Sequence, residues 1–335
     1  MTNLLSLPVE LIASIFDSVG RHPTSAHSSP HTLADRGLTL RALCLTSRLC
    51  RDLAQPIIYF DLYITSEEQA ERLLASDAFS RQSTVSSLEL RNLANDDLVA
   101  MSTLITETGR KRLKRLKLYR LELDASSFEQ VGQELQSLEL IRMTTLHGES
   151  FTGTVPFQLF HIKVGWGSLP QSFLGVLVSS PRLRTLDIAG SAGSPSLSAL
   201  FSLPEFPSMA ARIKSLVVFE LPHTHLTGLA TFTSVSHLYL ECTLLHQVVD
   251  FVETLPAESQ TVTHLTVVLK KSDFASLNAR EKWKNMMRLK QLEKLKLVTW
   301  IRINGILYPE LLDDLRATRE VRMEWSDSND WLPQG

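Results

Sequence analysis

Leu113-Lys-Arg-Leu116-Lys-Leu118 and, one step later, Leu135-Gln-Ser-Leu138-Glu-Leu140 carry the same pattern: apolar-x-x-apolar-x-apolar. Alternation over the last three positions is the signature of a strand with one face buried. Working outward, the pattern recurs as Tyr59-x-x-Leu62-x-Ile64, Val85-x-x-Leu88-x-Leu90, Phe157-x-x-Phe160-x-Ile162 and Leu183-x-x-Leu186-x-Ile188. It continues as Ile213-x-x-Leu216-x-Val218, Val235-x-x-Leu238-x-Leu240, Val262-x-x-Leu265-x-Val267 and Leu292-x-x-Leu295-x-Leu297, with a faint last copy at Val321-Arg-Met323. The central residues from 62 to 295 are spaced by 26, 28, 22, 22, 26, 30, 22, 27 and 30.

The segments between these strands read as helices or turns. Ser66-Glu-Glu-Gln69 is a capping-box pattern. Asn95-Asp-Asp97 suits a helix start ahead of Leu98, Met101 and Ile105. Leu244, Leu245, Val248, Val249 and Val252 form an apolar helical stripe, and residues 273–289 read as a long polar helix. Residues 146–155 and 190–195 read as irregular connections. A strand with one return segment cannot bury its apolar side alone, but stacked copies can. The steps straddle the leucine-rich-repeat range of about 20–29 residues. The chain resembles degenerate leucine-rich repeats over most of residues 60–323. Its departure is that the family's Asn or Cys is replaced by Leu93, Leu121, Met143 and Ser191. The expected fold is α/β, an irregular leucine-rich-repeat solenoid with a concave parallel sheet. A doubly wound α/β domain also alternates strand and helix and is the competing architecture.

Ahead of the repeats, Leu5-Ser-Leu-Pro-Val-Glu-Leu-Ile-Ala-Ser-Ile-Phe16 begins a helix. Pro8 suits its first turn and Glu10 the positive end of its dipole. Leu11, Ile12, Ile15, Phe16 and Val19 spread over roughly 140° of arc, wide enough for two apolar surfaces. Residues 21–36 read as a loop. A second helix, capped by Ser47, carries Leu49, Cys50, Leu53 and Ala54 on one face and should end near Pro56. Leu7 to Ile12 with Ile15 and Phe16 resembles the opening of an F-box. The run from Leu45 to Tyr59 resembles its closing helix and exit strand, with Cys50 where the family usually carries a bulky aromatic. The chain is thus similar to fungal-type F-box proteins with leucine-rich repeats, with an F-box-like unit at 1–58 and repeats at 59–335. The resemblance implies that a Skp-family adaptor, and through it a cullin, is the partner. Leu7, Pro8, Leu11, Ile12, Ile15, Phe16, Leu45 and Cys50 are then the expected adaptor contacts, and the repeats are expected to hold a target protein.

Composition narrows the alternatives. The chain has 335 residues, 44% of them hydrophobic, with net charge −2. It can bury full cores, and no global field favours nucleic acid or an anionic membrane. No apolar run reaches a membrane span. The N-terminal run lacks a basic start, so a secretion signal is not expected. Three cysteines, Cys44, Cys50 and Cys242, fit reduced thiols and an intracellular setting, cytoplasmic or nuclear. No H-E-x-x-H, G-x-S-x-G or P-loop pattern occurs, so no catalytic residue, metal site or cofactor is expected. His237 and His264 fall on one sheet face, where solvated surface is the expected role. The basic run 110–120 reads as inward leucines with solvated cations, compatible with a nuclear import signal. A repeat scaffold without a ligase and an α/β enzyme remain as alternative functions.

Side chains beside the inward residues define the expected target surface. They are Arg115, Lys117 and Tyr119; Ser137 and Glu139; His161 and Lys163; Thr185 and Asp187. Val217 and Phe219 follow, then His237, Tyr239 and Glu241, His264 and Thr266, and Lys294 and Lys296. Arg115, Lys117, Tyr119, Phe219, His237, Tyr239 and Glu241 are the expected target contacts, because aromatic residues often anchor interfaces.

Overall fold

A computed structural model describes residues 8–20, 39–82, 84–92, 99–128, 131, 134–141, 144–147, 158–165, 168–189, 195–219, 228–242, 245–256, 261–269, 281, 285–286, 288–295, 297–302 and 322–326. Leu7, the loop 21–36, most of 273–289, Lys296 and the segment around Trp331 lie outside the described residues.

The chain opens with α1 (Val9–Gly20), a short helix α2 (39–44) and α3 (Arg48–Phe60). Ser47 caps α3, its hydroxyl accepting the Cys50 N–H at 3.1 Å. The helix does not stop at Pro56 but runs on to Phe60, across the expected unit boundary after residue 58. A proline inside a helix costs about 3 kcal/mol. Here Ile57 and Ile58 pack on a small core of Ile12, Leu40, Cys50 and Ala54, while Tyr59 meets Phe79 edge-on at 6.2 Å. Those contacts require the helix to continue, and the expected exit strand begins only at Asp61.

From there the chain alternates strand and return segment. The order is β1 (Asp61–Ile64), α4 (Glu67–Leu74), α5 (Asp77–Ser80), β2 (Ser87–Arg91), α6 (Val99–Gly109), β3 (Arg115–Tyr119) and β4 (Glu122–Asp124). It continues with β5 (Ser137–Ile141), β6 (Thr145–His147), β7 (His161–Val164), α7 (Gln171–Ser179), β8 (Thr185–Ala189), α8 (Pro195–Ser202) and α9 (Phe206–Ala210). Last come β9 (Ser215–Phe219), β10 (His237–Cys242), α10 (Leu245–Thr254), β11 (His264–Leu269), β12 (Leu297–Arg302) and β13 (Arg322–Ser326). Among the described residues eleven strands form one parallel sheet in strict chain order, with β4 and β6 paired separately. A doubly wound sheet reverses strand order at a switch point; this sheet never does.

The register aligns Leu62, Leu88, Leu116, Leu138, Ile162, Leu186, Leu216, Leu238 and Leu265 across nine strands. All nine are buried in one core that also takes up the return helices. Two repeat frames differ from the sequence reading. In β7 the central residue is Ile162, not Phe160, which is 54% exposed; the leading residue is the buried Leu159. The adjacent steps become 24 and 24, from 138 to 162 to 186. In β12, Val298 rather than Leu295 aligns with Leu265. Leu295 is the leading residue, so Lys294 precedes the strand.

Helix caps are partly built between neighbouring segments. Ser66 accepts the Gln69 N–H at 3.3 Å, while Gln69 Oε1 reaches back one residue beyond the expected box to accept the Thr65 N–H at 2.9 Å. The Glu67 carboxylate accepts the N–H groups of Ala100 and Met101 at the start of α6. It places a negative charge on the positive end of α6. Glu67→Ala should cost about 1–2 kcal/mol, read as a lower urea midpoint, whereas Glu68→Ala on the exposed side should not move it.

Candidate functional site

Two surfaces stand out. The first is on the N-terminal helices. Ile12 and Cys50 are fully buried in the local core and are unavailable to a partner, contrary to expectation. The wide apolar arc of α1 explains this: one side of it is spent on the fold. Leu11 and Ile15 share the open side at 52% and 39% exposure; Val9, across the buried Ile12 from them, is 49% exposed, and Leu45 after α2 is 83% exposed. Pro8 is exposed as well; the Phe16 side chain lies outside the described residues.

The second surface is the sheet face opposite the core. The outward side chains stand in three cross-strand rows fixed by the parallel register. One row runs Asp61, Ser87, Arg115, Ser137, His161, Thr185, Ser215, His237, His264. The next runs Tyr63, Glu89, Lys117, Glu139, Lys163, Asp187, Val217, Tyr239, Thr266. From Glu89 to Asp187 this middle row alternates acid and base. The third row includes Arg91, Tyr119, Ile141, Ala189, Phe219, Glu241 and Val268. The expected target residues share this face, but not all are open. Tyr119 and Glu241 are buried at 7% and 5% exposure, although Arg91, Ile141 and Phe219 in the same row are half-buried. Arg115 and His237 are exposed, while Lys117, Phe219 and Tyr239 are half-buried.

Ion pairs organise the face near β1–β3. Arg115 pairs with Asp61 at 3.3 Å, Lys117 with Glu89 at 3.8 Å, and Arg91 with Glu89 at 2.6 Å. The Arg91 guanidinium lies 5.3 Å from the Tyr63 ring centre and 5.2 Å from that of Tyr119. Three further cations of the basic run are also engaged: Arg110 with Glu107, Arg112 with Glu134, and Lys111 with the Ser80 and Gln82 carbonyls. The run is a folded turn and strand with its leucines inward.

Further along, Ser137, His161 and Asp187 form a hydrogen-bonded chain. The Ser137 hydroxyl is 2.9 Å from His161 Nδ1, and His161 Nε2 is 3.3 Å from Asp187 Oδ2. The sequence reading placed all three on the face without bringing them together. Their meeting follows from the repeat steps, which put 137, 161 and 185 opposite one another. The constellation has the members of a nucleophilic triad, but among the described residues no oxyanion donor accompanies it. The Ser137 N–H donates to the Lys114 carbonyl, and Glu139 stands beside it in the middle row. A carboxylate there opposes developing negative charge.

Burial lowers the basicity of His161, but the hydrogen bond to Asp187, its charge and that of Glu139 outweigh this and leave its pKa raised. His237 is shifted the other way, down, by burial and then by His264. The His237 and His264 rings stack 4.4 Å apart and 7° from parallel, each Nδ1 within 2.9 and 2.8 Å of the preceding Ser236 or Thr263 hydroxyl. Stacked rings point their lone pairs side by side, not toward a common metal. Among the described residues no group of three or more His, Cys, Asp or Glu is placed to hold a metal ion. No helix among them is long and apolar enough to cross a membrane.

The opposite shifts give opposite pH dependences. The His161 contribution is present in full below the ordinary imidazole pKa of 6.5 and is lost as pH rises through the raised value. The His237 contribution is present above 6.5 and is lost as pH falls through the lowered value. His161→Gln should therefore lose melting temperature on the acid side, by about 2 °C, and His237→Gln should gain there. Identical pH profiles for the two variants would contradict these environments.

Neither a protein-family model nor a curated protein matches the chain.

Proposed function

We propose that this chain is the substrate-receptor subunit of an SCF-type ubiquitin ligase. Its N-terminal helices dock on a Skp-family adaptor, and its repeats hold a target protein. The observation that carries the reading is the apolar set Val9, Leu11, Ile15 and Leu45, left exposed on helices that already have their own buried core. Large apolar side chains left exposed on so small a unit mark a docking surface. The F-box resemblance of the same residues names the partner.

Strict strand order, aligned central residues and return helices that pack on their successors support a leucine-rich-repeat solenoid, with the outward rows as its concave wall. In this role the chain performs no covalent chemistry and takes no cofactor. It holds a target near a ubiquitin-carrying enzyme in the cytoplasm or nucleus, raising effective concentration. The burial of Ile12 and Cys50 favours a second reading, a repeat scaffold without a ligase, since both expected adaptor contacts are spent on the fold. Mixing the purified chain with a purified Skp-family adaptor separates the two. A stable complex on gel filtration supports the receptor, and its absence leaves the scaffold.

A further inference from the structure

The sheet face is electrically divided. On β1–β3 the outward charges are Asp61 and Glu89 against Arg91, Arg115 and Lys117; on β5–β11 they are Glu139, Asp187 and Glu241 against Lys163, with His161 held by Asp187. The acidic half contains an aromatic pair, Phe219 and Tyr239, with ring centres 5.8 Å apart. The Lys163 ammonium lies 4.5 Å from the centre of the Phe219 ring. Lys163 faces Asp187 in the register, and Phe219 faces Ala189 on the same strand, β8. The lysine thus reaches across a strand whose small Ala189 leaves the diagonal open.

The surroundings favour a cation at that point. Asp187 Oδ1 is buried and accepts no hydrogen bond among the described residues. The Tyr239 phenol is pushed well above its ordinary pKa by burial and then by the charges of Glu241 and Asp187, so both carboxylates bear on the aromatic pair. A cation over an aromatic face gains most when partly desolvated, and Phe219 and Tyr239 are both half-buried.

We propose that Phe219, Tyr239, Asp187 and Glu241 form a seat for one basic side chain of a bound protein segment, and that Lys163 is the resident cation which the incoming lysine or arginine displaces. The partner's chemistry follows from charge: a segment whose basic anchor lies over β8–β10. Lys163 holds the seat in the free protein and weakens any partner that must evict it.

The inference deepens the reading of this face as the target surface. Its test uses no adaptor, so a negative result here leaves adaptor docking untouched, and a failed adaptor complex leaves this test standing. A fluorescein-labelled hexa-arginine peptide is titrated into the full chain at low salt and followed by anisotropy. Lys163→Met should tighten binding about fivefold. Lys114→Met removes the same charge from an exposed site before β3 and should change binding by less than about twofold. Adding Phe219→Leu to Lys163→Met should cancel the gain, with unchanged circular dichroism reporting an intact fold. Tyr239→Leu in the same background provides an independent removal of the aromatic pair. Equal tightening by Lys163→Met and Lys114→Met overturns the proposal, as does a gain that survives the loss of either ring, or no peptide binding to Lys163→Met.

Discussion

Phe206→Ala should lower the stability of the parallel-sheet region by about 3–5 kcal/mol. Phe206 is 1% exposed and meets two other rings edge-on, Phe201 at 5.1 Å and Phe232 at 5.7 Å. Phe201 is on α8, Phe206 on α9, and Phe232 lies in the segment leading to β10. Two consecutive connections, β8 to β9 and β9 to β10, are therefore joined through one side chain. The packing leaves no slack around Phe201, because a Cβ built on Gly228 would stand 2.8 Å from that ring. A cavity at Phe206 cannot be filled by collapse without moving this glycine contact, which puts the cost toward the upper end for a buried aromatic. Phe219→Ala is the comparison. Its ring is half-buried on the outward face, so it should cost less than about 1.5 kcal/mol. Urea denaturation of both variants measures the difference. Hydrogen exchange then locates it, because local stability follows local packing: protection should fall first in β8–β10. Equal midpoints for the two variants would mean that the three-ring contact contributes nothing beyond surface packing.

The strands were readable in the sequence because their alternation is local; the repeat frame was less secure where extra apolar residues offered a second choice. At β7 the alternative frames differ by two residues, from Phe160 to Ile162. Strand side chains repeat every two residues, so this slip leaves His161 and Lys163 on the outward face. At β12 the run Leu289, Leu292, Leu295, Leu297 permits frames three apart, an odd shift that exchanges the faces, and Lys294 falls off the strand. The helix through Pro56 was hidden because local propensity opposes it and only packing on Phe79 and the small core demands it. The Glu67 cap joins residues 33 apart, and no local pattern reports it. The composition of the outward face was legible, but its pairings were not. His161 with Asp187 and Lys163 with Phe219 depend on registers fixed by the intervening segments. Burial of Tyr119 and Glu241, on the outward face, is not encoded by alternation, which assigns them only a face.

Leu11→Glu combined with Leu45→Glu is expected to abolish adaptor binding, with a loss well above about a hundredfold. Both side chains are exposed, Leu11 at 52% and Leu45 at 83%, so glutamate at either position costs the free protein little. In a docked complex the same carboxylates would have to be buried against apolar surface without partners, which costs several kcal/mol each. Ile12→Ala is the necessary contrast. Ile12 is fully buried with Leu40, Cys50 and Ala54. Its truncation should remove about 2–4 kcal/mol from a core too small to absorb it. That variant would lose the adaptor through unfolding of the helices, whereas the double glutamate variant would lose it with the helices intact. The two routes separate on helical circular dichroism and on protease resistance near α1 and α3. The receptor reading therefore requires a folded double variant that no longer binds. If that variant forms the adaptor complex as well as the parent chain, the exposed set Val9, Leu11, Ile15 and Leu45 is not the docking surface. The observation on which the receptor function rests would then be lost.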